Sequence, residues 1–146
     1  MEDWSLGIWE VIKTVEGGEL SHILGVGLSK PEYNIYIVRG ATQSMSKPTI
    51  IAFRKDYNKF ESEIIHELLH VCFVENKLKQ NLYKDEDNKT MVHIRLFAFM
   101  KKFYCEILDK KDSWKEIEKL NRKYDGYSKA MDIVEEDGYD YIIENS

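Results

Sequence analysis

The sequence has few cysteines, few prolines and no block of clustered basic residues. Its 146 residues include two cysteines and two prolines, and 21 Lys and Arg stand against 26 Asp and Glu, for a net charge of −5. Affinity for nucleic acid comes from clustered positive charge, so we expect no nucleic-acid partner. Cys72 and Cys105 lie in apolar runs without a CxxC partner, which is typical of buried thiols in a reducing compartment.

Long apolar runs are also lacking. No window approaches the roughly 18–20 uninterrupted apolar residues of a membrane span. The first residues, MEDWSLGIWEV, have acidic residues and no basic segment before an apolar stretch, which does not match a secretory signal. We therefore expect a soluble, cytoplasmic protein without a membrane partner. With 43% hydrophobic and 12% aromatic residues, the chain can fill one core, and its length favours a single domain, 1–146.

The residue pattern from 19 to 54 predicts a small β-sheet. Glycine and proline punctuate short runs rich in Ile, Val, Tyr and Phe, which predict strands at Ile35–Val38 and Thr49–Phe53 and a weaker one at Leu20–Leu28. The residues from Gly40 to Lys47 read as a polar loop. We expect a mostly antiparallel sheet.

The second half of the sequence predicts helices. Neither glycine nor proline occurs between Asp56 and Gly126, and such breakers are what end helices. The predicted helices, with one at the N-terminus, are Asp3–Val15, about Lys59–Lys79, Asn88 or Thr90 to about Leu108, Ser113–Tyr124, and Tyr127–Ile143 with a break at Gly138. Strands followed by helices indicate an α+β domain, with a core at about 19–110 and a C-terminal helical extension at 111–146.

One motif carries chemistry: His66-Glu67-Leu68-Leu69-His70, an HExxH sequence. Residues four apart on a helix differ by only about 40° around the axis, so His66 and His70 can present two imidazoles to one metal ion. Glu67 lies about 100° from His66, where it can reach a metal-bound water without being a ligand. The other residues near the motif are mostly apolar, which favours a metal site over a chance match on a solvated surface.

A catalytic zinc site needs a third protein ligand and an open position. His93 follows His70 by 23 positions among apolar neighbours, and we predict it as the third ligand. The alternatives are a core histidine bonded to a backbone carbonyl at this position, or a carboxylate ligand from Glu75, Asp85, Glu86 or Asp87. His22 is a candidate wall residue. Glu63 is either a hydrogen-bond acceptor for a ligand imidazole or a surface charge.

An HExxH helix preceded by a small sheet and followed by a second ligand-bearing helix resembles the zincin metallopeptidases. The compact gluzincin-like proteases and the ImmA/IrrE group are most similar. In the ImmA/IrrE group a ligand glutamate shortly precedes a Phe-Ala pair, and here His93 precedes Phe97-Ala98 in the same relation. The extended metzincin motif is absent, because Val71-Cys72-Phe73 lacks its glycine.

The resemblance implies a zinc-dependent peptidase acting on a protein or peptide. His66, His70 and His93 would hold Zn²⁺, and Glu67 would act as general base and later protonate the leaving amine. The substrate would lie as an added strand beside Thr49–Phe53 or Ile35–Val38, and Tyr83 or Arg54 is a candidate oxyanion donor. The alternative is a catalytically silent zinc-binding module for regulation or protein interaction.

Overall fold

The computed structural model describes residues 34–78 and 81–146. The predicted helix Asp3–Val15, the predicted strand Leu20–Leu28 and His22 lie outside the described residues. The chain divides after Lys77 into two compact units, an N-terminal and a C-terminal one. The described residues contain three strands and five α-helices, which confirms the α+β class. The predicted single domain stays a prediction.

The N-terminal unit contains a three-stranded sheet. Its strands are β1 (Tyr36–Val38), β2 (Met45–Ser46) and β3 (Thr49–Ala52), in the order β1-β3-β2. β1 pairs with β3 in parallel, with Tyr36 opposite Ile50, and β2 pairs with β3 antiparallel, with Met45 opposite Ile50. Ile51 and Ala52 are fully buried, so the central strand provides the buried part of the sheet.

Among the described strands the sheet is mixed, with one parallel and one antiparallel pair, where a mostly antiparallel sheet was expected. The predicted loop Gly40–Lys47 contains β2, and the hairpin forms between β2 and β3. β1 lies on the opposite side of β3 from β2 and runs parallel to β3. β3 therefore has neighbours on both sides, and Thr49–Phe53 cannot receive a substrate strand along its length.

Helix α1 (Tyr57–Glu75) follows the sheet and packs against β3 and β2. Asp56 caps its N-terminus, because the Asp56 side chain accepts a hydrogen bond from the backbone N–H of Lys59 at 2.8 Å. The helix ends before the predicted Lys79. The Asn76 side chain donates to the Cys72 carbonyl at 2.8 Å, and Lys77 adopts a positive φ of 53°, a conformation that ends helices.

The C-terminal unit is helical. Its α-helices are α2 (Asn88–Lys102), α3 (Lys111–Asn121), α4 (Asp125–Asp137) and α5 (Tyr139–Asn145), with a π-helical turn at Phe103–Ile107 after α2. Gly138, at a φ of 84°, separates α4 from α5, at the predicted break. Both α4 and α5 pack on α2. In residues 34–78 and 81–146, no helix has the length and apolarity that crossing a membrane requires.

Candidate metal centre

Helix α1 presents the two histidines of the HExxH motif side by side. Both side chains are half-buried. The Nε2 atoms of His66 and His70 are 3.2 Å apart, and the ring centroids are 4.9 Å apart at an interplanar angle of 69°. The two rings therefore turn the same nitrogen toward a common point, as the four-residue spacing predicts.

The separation of these nitrogens fits two ligands of one zinc ion. Zinc–imidazole bonds of about 2.0–2.1 Å at a tetrahedral angle place the two nitrogens about 3.3 Å apart. The same separation permits one Nε2–H to donate to the other Nε2 when both rings are neutral. The pair can thus be arranged for a metal before the metal binds.

Glu67 lies next to this pair and is buried, with 9% of its surface exposed. Burial raises the pKa of Glu67 from 4.5 to about 7, and the neighbouring charge of Glu63 adds to the rise. A carboxyl with a pKa near neutrality can accept a proton and return it in the same reaction cycle. A buried carboxyl with this pKa is better suited to act as a general base than a carboxylate on the surface.

Glu63, one turn before His66, is tied to the sheet side of the N-terminal unit. Its Oε1 accepts a hydrogen bond from Arg54 Nε at 2.9 Å, and its Oε2 accepts one from Ser44 Oγ at 2.6 Å. Arg54 also donates to the backbone carbonyls of Thr42 at 2.9 Å and Ala41 at 3.4 Å. Of the two roles considered for Glu63, the described contacts match neither, since the carboxylate joins α1 to the 41–44 loop.

The other candidate oxyanion donor, Tyr83, belongs to the C-terminal unit. Its hydroxyl donates to Asp137 Oδ2 at 2.5 Å. Burial and this hydrogen bond raise the pKa of Tyr83, so its proton stays on the ring oxygen. Tyr83 and Arg54 thus both have described structural partners, and neither is assigned to an oxyanion.

The acidic residues before α2 also have structural roles. Asp87 caps α2, because its carboxylate accepts hydrogen bonds from the backbone N–H of Thr90 at 3.0 Å and from the Thr90 hydroxyl at 2.6 Å. These bonds are the main reason that the pKa of Asp87 is lowered. Glu86 forms an ion pair with Lys129. As ligand candidates, Asp87 and Glu86 are therefore weaker than the histidines.

His93 lies in the first half of α2, in the C-terminal unit, with 8% of its surface exposed. Its Nδ1 is 2.7 Å from the Lys89 carbonyl oxygen. Since a carbonyl only accepts, Nδ1 carries the hydrogen and Nε2 carries the lone pair in the neutral ring. Burial lowers the pKa of His93, which favours the neutral form that binds metals.

Cys72 lies two residues after His70. It is a buried free thiol, and burial, with a smaller contribution from the charge of Glu75, raises its pKa to about 12. Metal ligation requires a thiolate, so Cys72 is a poor ligand at neutral pH. It behaves as a small apolar residue of the α1 core, as the sequence predicts.

The structure places the predicted ligands on two helices. His66, Glu67 and His70 share one face of α1, and His93 is on α2; the assignment of His93 as third ligand stays a prediction. Sequence reasoning missed Tyr127, whose ring packs on that of His93 at a centroid distance of 4.3 Å. No signal in a single sequence identifies that contact, because 34 residues separate the two side chains.

The chain was compared with protein families, curated proteins and solved structures. No protein-family model, no curated protein and no solved structure matches the chain. Any assignment of function therefore starts from the residues and their geometry.

Proposed function

We propose that this protein is a zinc-dependent metallopeptidase of the zincin type, with His66, His70 and His93 as metal ligands and Glu67 as general base. The facing Nε2 atoms of His66 and His70, 3.2 Å apart on α1, carry the proposal. The buried carboxyl of Glu67, with a pKa raised to about 7, favours an enzyme over a structural metal site.

The chemistry of the donors supports zinc and a third histidine. Among residues 34–78 and 81–146, these three histidines are the group of His, Cys, Asp and Glu side chains that could hold a metal ion. A three-histidine set leaves the fourth position of tetrahedral zinc open, as catalysis requires. The hydrogen bond from Nδ1 of His93 to a backbone carbonyl is the arrangement that fixes the tautomer of metal-ligating imidazoles.

The chemistry divides between the metal and Glu67. Held by the three histidines, Zn²⁺ would supply the Lewis acidity that lowers the pKa of a water molecule and polarises the scissile carbonyl. Glu67 accepts the proton of the attacking water and then donates it to the leaving amine.

The proposed substrate is a protein or peptide. An extended peptide binds by adding a strand to an exposed sheet edge. In the part of the sheet that the structure describes, β1 lies at one edge, and Tyr36, Ile37 and Val38 are exposed. We therefore place the peptide beside β1, which was one of the two strands considered from the sequence.

Metal content tests the ligand set. Protein purified without added metal should contain about one equivalent of zinc, measured by elemental mass spectrometry. His66→Ala and His93→Ala should both lose it. Glu144→Gln, at an exposed carboxylate of α5, is the control and should retain it. Zinc retained by His93→Ala would overturn that ligand, and no zinc in the parent protein would overturn the proposal.

Digestion of a peptide library by the same preparations tests the activity. The parent should cleave, and Glu67→Gln, with the same zinc content, should be slower by at least about 100-fold, since a general base contributes 10²–10⁴. Equal digestion by the two proteins would contradict the role of Glu67. A parent that holds zinc and cleaves nothing would favour the silent zinc-binding module instead.

A further inference from the structure

The imidazole of His93 is held by two helices of the C-terminal unit. In α2, the carbonyl of Lys89, one turn earlier, accepts the hydrogen bond from Nδ1. From α4, the ring of Tyr127 lies against the imidazole with centroids 4.3 Å apart and planes inclined by 35°. One contact fixes which nitrogen is protonated, and the other restricts rotation of the ring.

Tyr127 is itself held in place on several sides. Its ring meets that of Phe97 edge to face, with centroids 5.3 Å apart at 78°, and Phe97 also lies 5.8 Å from the His93 ring. The ring of Tyr124 also meets that of Tyr127, with centroids 5.7 Å apart at 64°. Phe97 therefore packs beside both rings and limits the space in which either can reorient.

The side chain of Lys89 also contacts the ring of Tyr127. Its Nζ is 5.0 Å from the centre of the Tyr127 ring, within the range of a cation–π interaction. Its side chain passes close to Gly126, where an added Cβ would stand 3.1 Å from Lys89 Cδ. A larger residue at this position would require the Lys89 side chain to shift.

We propose that Tyr127 is a positioning residue for the metal centre. Its ring holds the imidazole of His93 in the orientation that keeps Nδ1 on the Lys89 carbonyl and offers Nε2 as the ligand atom. The inference rests on the proposed function for the role of His93 as ligand. It makes α4, part of the predicted C-terminal extension, a component of the metal-binding apparatus.

The first test uses the metal-free full-length protein. Nitrogen NMR of the imidazoles distinguishes the Nδ1–H from the Nε2–H tautomer. The parent and Tyr127→Phe should show His93 as one Nδ1–H species, since the phenyl ring retains the packing. Tyr127→Leu should show both tautomers in exchange. Tyr141→Leu removes an exposed tyrosine of α5 and is the control that should match the parent.

The second test measures zinc affinity by competition with a chelator. Tyr127→Leu should bind zinc about 10-fold or more weakly, since residues that support a metal ligand contribute 10–100-fold. Tyr127→Phe and Tyr141→Leu should stay within about 2-fold of the parent on the same scale. Circular dichroism verifies folding, and Tyr127→Met, which keeps most of the volume without a planar face, replaces the leucine variant if that variant is unfolded.

The outcomes separate the two proposals. An unchanged tautomer and an unchanged zinc affinity in the folded Tyr127 variant would overturn the positioning role. A parent that binds no zinc would overturn the proposed function, while the NMR comparison would still decide whether Tyr127 orients the ring. Loss of affinity in Tyr127→Phe as well would assign the effect to the hydroxyl and contradict the stacking argument.

Discussion

At the scale of single residues, the HExxH motif predicted the facing pair of histidines, whereas the contacts around that pair could not be predicted from the sequence. Helical periodicity alone requires that side chains four apart share a face, and the Nε2 atoms of His66 and His70 do face each other. The pairing of Glu63 with Arg54 and Ser44 could not be predicted, because it depends on how a loop folds onto the helix. The raised pKa of Glu67 could not be predicted either, since its main cause is burial in the folded protein.

The raised pKa of Glu67 predicts a pH-dependent cost in stability. Between pH 4.5 and about 7 the folded metal-free protein keeps a proton that the unfolded chain releases. The free energy of unfolding therefore falls as the pH rises through this window. Without zinc, Glu67→Gln should be more stable than the parent above pH 8, by at most about 3 kcal/mol, and equal to it below pH 4.5.

Urea unfolding in a chelator, at several pH values, measures this difference. Glu144→Gln changes an exposed carboxylate of α5 and is the matched control. It should follow the parent at every pH within about 0.5 kcal/mol. A Glu67→Gln variant that is less stable than the parent at pH 8 would contradict the burial of an ionisable carboxyl at this position.

At the scale of elements, local patterns predicted the segments and missed their pairing. Strands β1 and β3 start and end within one residue of the prediction, because β-branched runs are local signals. The parallel pairing of β1 with β3 depends on β2, a two-residue strand too short to be recognised by alternation. The early end of α1 depends on a side-chain hydrogen bond from Asn76.

The N-cap of α1 predicts a measurable contribution to stability. Asp56→Ala removes the acceptor for the Lys59 backbone N–H and should lower the free energy of unfolding by about 1 kcal/mol. Asp56→Asn should restore most of it, because asparagine caps helices equally well. Chemical denaturation measures both. Equal losses in the two variants would show that the charge matters instead of the cap.

At the scale of the whole molecule, the sequence predicted the helices of the C-terminal unit but not which of them pack together. The sequence suggested a core ending near residue 110, with the helices of 111–146 added to it. In the structure α4 and α5 pack directly on α2, within one compact unit that begins at Leu78. A single sequence could not give this result, since the helix faces match many possible partners.

Zinc bound at the proposed ligands should stabilise the folded protein. A ligand that binds only the folded state adds about 2.7 kcal/mol at a free concentration 100 times its dissociation constant. Thermal unfolding of the parent should therefore shift upward with buffered zinc relative to chelator. His66→Ala should unfold at the same temperature in both. An equal shift in parent and variant would mean that zinc binds elsewhere.

The high pKa of the Cys72 thiol affects how readily the protein is oxidised under oxidative stress. Burial raises the pKa of Cys72 to about 12, so the thiol stays protonated at pH 7, and the thiolate is the form that peroxides attack. The neighbourhood of His70 is thereby shielded from sulfenic acid formation. Unlike centres whose ligands are cysteines, the proposed histidine centre should keep its ligand atoms intact when the redox balance of the cell changes.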